Sequence, residues 1–118
     1  MSVVPHGHNA VEQRDVEEFL SGMHVVSKWL AEESERHGVV PTWENFPIKM
    51  LLAISEVIEA VEAYRCGEHQ NRVEEELADV LIYILSVGSA LGMDLATAVI
   101  EKYNINCGRS LMHGGKKF

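Results

Sequence analysis

Four carboxylates stand where apolar residues are expected. Glu56 and Glu59 interrupt the stretch LLAISEVIEAVEAY (residues 51–64), and Glu76 and Asp79 sit at the head of EEELADVLIYIL (residues 74–85). Residues three apart on an α-helix lie about 60° apart in azimuth, so each pair shares a face. Leu52, Ala60 and Ala63 project to the side of the first pair, and Val80, Tyr83 and Val87 to the side of the second, so both faces read as interior. Carboxylates crowded together in a partly dry place repel one another, and each is costly to desolvate without a compensating charge. They must either protonate or bind cations. A donor set made only of oxygens suits hard ions, Mg²⁺ or Mn²⁺, rather than zinc. An isolated acidic pair on an amphipathic helix is far more often a solvated surface pair, and Glu62, Glu74 and Glu75 read that way. Repetition of the pair inside apolar sequence on two successive elements favours the metal reading.

The elements that must position these groups are helical. Residues 10–36 carry Val11, Phe19, Met23, Val26 and Leu30 at three- and four-residue steps with charges between them. Asn9 and Glu12 resemble a capping box at the start of this helix, and Gly38 ends it. The stretch GVVPTWENFP (38–47) is a loop punctuated by glycine and proline. Pro47 opens a second helix that runs to about Arg65 and stops at Gly67. A third helix is expected from about Asn71 to Leu91, and Asp94 is a natural N-cap for a fourth, Leu95–Asn106. The connection between the second and third helices is short, which makes them antiparallel neighbours and can bring the two acidic pairs face to face. Residues 1–9 and 110–118 lack such periodicity and are expected to be flexible.

The totals narrow the function classes. A chain of 118 residues with 47% hydrophobic and 24% charged residues fits one globular domain, 1–118. The net charge of −8 argues against a nucleic-acid polymer as partner, because phosphate backbones select for Lys and Arg. Neither a signal peptide nor an apolar run long enough to span a bilayer is legible, so no membrane partner is expected. The reading is cytoplasmic, with Cys66 and Cys107 reduced. No P-loop, dinucleotide-binding glycine motif or nucleophile–histidine arrangement is present.

The acidic residues carry a resemblance. S-E-V-I-E (55–59), a spacer of 16 residues and E-L-A-D (76–79), followed by VLIYIL, resemble the E-E-x-x-E…E-x-x-D signature of the MazG-like all-α nucleoside triphosphate pyrophosphohydrolases. DLATAVIEKYNINCGRS (94–110) is similar to that superfamily's K-x-x-x-N-x-x-R segment, with Lys102, Asn106 and Arg109 at the matching positions. The resemblance covers about residues 19–118. Ser55 departs from it, standing where the signature has its first glutamate.

The resemblance implies a four-to-five-helix bundle that forms a homodimer or homotetramer. It also implies Mg²⁺-dependent hydrolysis of a nucleoside triphosphate to the monophosphate and pyrophosphate, in the service of nucleotide-pool house-cleaning. Glu56, Glu59, Glu76 and Asp79 would hold the metal, with Glu59 also the catalytic base. Lys102, Asn106 and Arg109 would bind phosphate and sugar. Trp43, in the WENF stretch, and His24 are candidates for the base pocket, since an indole stacks on any base. Two alternatives stand beside this reading. One is a catalytically weak helical bundle that binds nucleotide or protein and regulates. The other is a phosphoribosyl-ATP pyrophosphohydrolase. Self-association also follows from the residues, because Ile54, Val57, Ile58 and Val61 form an apolar face opposite the acids.

Overall fold

A computed structural model of the protein describes residues 11–38 and 40–108. It contains four helices, α1 (Gln13–His37), α2 (Phe46–Arg65), α3 (Gln70–Ala90) and α4 (Leu95–Cys107), and no strand among the described residues. The all-helical class expected from the periodicity is therefore what the chain adopts. Helix α1 starts three residues later than the sequence pattern suggests, and the capping residue expected for it, Asn9, lies outside the described residues. The flexible ends expected at 1–9 and 110–118 also lie outside them.

The chain divides into two compact units, Val26–Met93 and Met1–Val25 with Asp94–Phe118. The first unit holds the C-terminal part of α1, with all of α2 and α3. Only α2 and α3 pack extensively among the described helices. Their contact is built from small groups: Ala53, Ala60 and Ala63 are buried on α2, and Val87 and Gly88 on α3. Small side chains at a helix contact let the two axes approach closely. Helix α1 is tied to α3 where the Ser89 hydroxyl donates to the Ser27 carbonyl (3.3 Å).

The α2–α3 turn is set by local chemistry. Cys66 caps α2, and Gly67 follows at φ +71°, where an L side chain is strained. The Glu68 N–H then reaches the Ala63 carbonyl (3.0 Å) and the Gly67 N–H reaches the Tyr64 carbonyl (3.1 Å), the paired bonds of a Schellman motif. At the other end of α2, the Thr42 N–H donates to Asn45 Oδ1 (2.7 Å), and the Asn45 N–H donates to Thr42 Oγ1 (3.1 Å). This reciprocal pair fixes the chain's entry into α2, and Pro47 in the first turn has no N–H to leave unsatisfied.

In the second unit Val16 and Ile100 are buried. Asp94 caps α4 as the sequence suggested, accepting the Thr97 N–H at 3.1 Å, and that bond holds its carboxyl below the usual range.

Candidate metal centre

The α2–α3 hairpin brings three of the four singled-out carboxylates together. One carboxylate oxygen from each of Glu56, Glu76 and Asp79 lies within 4.8 Å of the other two. Their environments differ: Glu76 is 4% exposed, Glu56 half-buried and Asp79 exposed. The expectation that Glu76 and Asp79 both face a dry interior is thus corrected for Asp79, which stands at the open side of the group. Glu59 is exposed and is not one of the three, but its carboxyl hydrogen-bonds into both Glu56 and Glu76.

The electrostatics show what this crowding costs. The Glu56 carboxyl is raised from 4.5 to about 7, chiefly because it donates a hydrogen bond to Glu76, then through Glu59, burial and the repulsion of both neighbours. Glu76 is lowered, first by accepting that hydrogen bond and then by the positive charge of Arg72. Arg72, one turn before it on α3, pairs with Glu76 and with Glu75 (3.1 Å). The cluster therefore keeps a proton near neutrality where a cation could stand instead, and one arginine offsets the buried charge.

The donor set fits a hard divalent cation. Ligands of one octahedral Mg²⁺, each about 2.1 Å from the ion, are about 3.0 Å apart when adjacent and about 4.2 Å apart when opposite, so a group spread over as much as 4.8 Å must draw together to hold it. Thiol and imidazole groups are absent from it, which disfavours zinc. Ser55 takes no part: its hydroxyl bonds back to the Leu52 carbonyl of its own helix (2.7 Å).

A cleft of about 380 Å³ shares Asp79 with the cluster. Its lining includes Glu33 and His37 from α1, Lys49 from α2, and Tyr83 and Ser86 from α3. Glu33 Oε1 lies 2.9 Å from His37 Nδ1, and Glu33 also pairs with Arg36. Lys49 and Asp79 line the same cleft, so a ligand there meets both a carboxylate oxygen and an ammonium group.

The remaining candidates are not brought to this cleft within the unit. Trp43 is 69% exposed and stacks on Phe46 with ring centroids 5.3 Å apart, outside the cleft lining. His24, Lys102 and Asn106 are exposed residues of the other unit. Arg109 lies outside the described residues. Sequence reasoning missed Lys49, His37 and Arg72. Their signals were present as spacings: Lys49 is about two helical turns before Glu56, and Arg72 one turn before Glu76. No family model, no curated protein and no solved structure matches the chain.

Proposed function

We propose that the protein is a Mg²⁺-dependent nucleoside triphosphate pyrophosphohydrolase of MazG-like type. The observation that carries this reading is the gathering of Glu56, Glu76 and Asp79 oxygens within 4.8 Å on one hairpin, beside a cleft that contains Lys49. The E-x-x-E…E-x-x-D resemblance supplies the reaction class, and the chemistry is compatible with it. Glu56, Glu76 and Asp79 would hold the cation, Mg²⁺ or Mn²⁺. When bound, that ion supplies charge neutralisation at phosphate oxygens and a more acidic water. Glu59 is hydrogen-bonded to the cluster without belonging to its three-oxygen group, and would accept a proton from the attacking water. Lys49 would pair with a phosphate oxygen as a point charge, a role the resemblance assigns to Lys102 and Arg109. The cleft has the size of a small-molecule site and would take the nucleoside. Cytoplasmic placement is part of this reading.

The test is turnover of a panel of ribo- and deoxyribonucleoside triphosphates, with phosphoribosyl-ATP alongside, and ion-exchange separation of the products. The expected result is monophosphate and pyrophosphate in equal amounts from at least one member, abolished by EDTA and restored by Mg²⁺ or Mn²⁺. Turnover of phosphoribosyl-ATP alone would favour the histidine-pathway alternative. Saturable nucleotide binding without turnover of any member would replace the enzyme reading with the regulatory one.

A further inference from the structure

Glu76 is the one buried charged side chain among the described residues. An ionised carboxylate in such a place needs a counter-charge at all times, with or without a metal. Helix α3 supplies one from within itself. Arg72 stands four residues before Glu76, a spacing at which helical side chains meet. Its Nη1 pairs with Glu76 Oε1 and also with Glu75 Oε2 (3.1 Å). The negative charge of Glu76 in turn raises the Arg72 guanidinium above its usual range. The Arg72 side chain keeps 47% of its surface in water, so its charge reaches the cluster without being buried with it.

Given the cation reading proposed above, we infer that Arg72 is a positioning residue that serves as the cluster's resident cation. It holds Glu76 in the metal-free chain and stands in for a second divalent ion, so that the site takes one. The supply of oxygens supports this. Glu56, Glu76 and Asp79 gather one oxygen each into a single group. A carboxylate that joins two ions ordinarily gives one oxygen to each, and two-metal sites hold their ions about 3.5–4 Å apart. Glu76 is the buried member of the group, and Arg72 already engages its Oε1. Ser55, beside Glu56 on α2, adds no donor, because its hydroxyl is turned to the Leu52 carbonyl. Charge supports the inference too. A second divalent ion would be repelled by both the first ion and the guanidinium. The two roles of Arg72 have opposite signs in a variant. Without the guanidinium, the carboxylates draw a divalent ion more strongly, while the metal-free chain is left with an unpaired buried charge. A salt bridge that only braced α3 would instead weaken binding when removed, because Glu76 would lose its orientation.

The experiment counts Mn²⁺ on the full chain at pH 8, by calorimetric titration and by the electron paramagnetic resonance of the bound ion, in wild type, Arg72→Gln and Arg72→Lys. The wild type is expected to bind a single Mn²⁺ per chain, with the resolved hyperfine spectrum of an isolated ion. Arg72→Gln should bind Mn²⁺ at least roughly tenfold more tightly, since a positive charge beside the ion is gone. Without metal it should melt below wild type, and saturating Mn²⁺ should close most of that gap. Arg72→Lys keeps the charge and should bind Mn²⁺ within about threefold of wild type. If Arg72→Gln fails to fold, the wild-type ion count and the lysine variant still decide. A pair of ions in the wild type, seen as doubled stoichiometry or an exchange-coupled spectrum, overturns the inference while leaving the cation reading intact. So does an Arg72→Gln affinity that is unchanged or weaker, or an Arg72→Lys variant that binds tenfold more tightly than wild type. Absence of Mn²⁺ binding in the wild type overturns the cation reading and this inference together, an outcome distinct from the others.

Discussion

Glu56 and Glu76 are the residues on which the account turns, and their titration gives a prediction of definite sign. A carboxyl raised from 4.5 to about 7 binds its proton more tightly in the folded chain than in the unfolded one. Between those two values the folded state holds more protons, so stability falls as pH rises through the window. The lowered Glu76 acts in the opposite sense, but its contribution is lost below the ordinary carboxylate range, outside that window. The metal-free protein should therefore melt at lower temperature at pH 7.5 than at pH 5, and saturating Mg²⁺ should erase the difference because the cation takes the proton's place. Glu56→Gln keeps a donor toward Glu76 and removes the titrating group, so its metal-free melting temperature should vary little across the same range. Calorimetry with and without Mg²⁺ reads this directly; an unchanged slope in the variant would assign the pH dependence elsewhere.

At the scale of elements, the hairpin is what gathers three of the four spaced acids into one cluster. Its turn depends on Gly67 at φ +71°, where an added Cβ would meet no atom within 4 Å, so the whole cost of Gly67→Ala is backbone strain. That cost should be about 1–2 kcal/mol in urea unfolding, with cation affinity reduced if the hairpin loosens. An unchanged midpoint would mean that the turn does not hold the hairpin. Much of this level was legible in the sequence. Pro47, Gly67 and Asp94 mark ends that the structure places within a few residues of where the pattern put them, because caps and breakers act locally. The two acidic pairs were equally visible, since a three-residue step on a helix needs no tertiary information. The cleft was not. Lys49, His37 and Tyr83 come from three helices, and their convergence depends on packing that no local pattern encodes. Trp43 drew attention as an aromatic in a loop, and its largely exposed ring stacks on Phe46.

At the scale of the molecule, an excess of apolar surface stands out. Large aliphatic and aromatic side chains are exposed on every helix, among them Trp29 on α1, Ile58 on α2, Leu81 on α3 and Val99 on α4. A chain whose core is completed by a second copy has a stability tied to protomer concentration. Its melting temperature should rise with protein concentration, and a concentration-independent value would speak for a self-sufficient monomer. The net charge of −8 belongs at this scale as well, since it repels free polyphosphates unless a divalent cation travels with them. Substrate binding should accordingly weaken sharply when Mg²⁺ is removed.

The central claim, that the carboxylate cluster is a divalent-cation site, is tested most directly by titrating Mn²⁺ into the wild type and into Glu76→Gln at pH 8, calorimetrically. The wild type should bind saturably, and the variant at least tenfold more weakly, because Glu76 is the buried carboxylate of the cluster, its charge offset by Arg72. Equal affinity in the two proteins, or no saturable binding by either, would contradict the account.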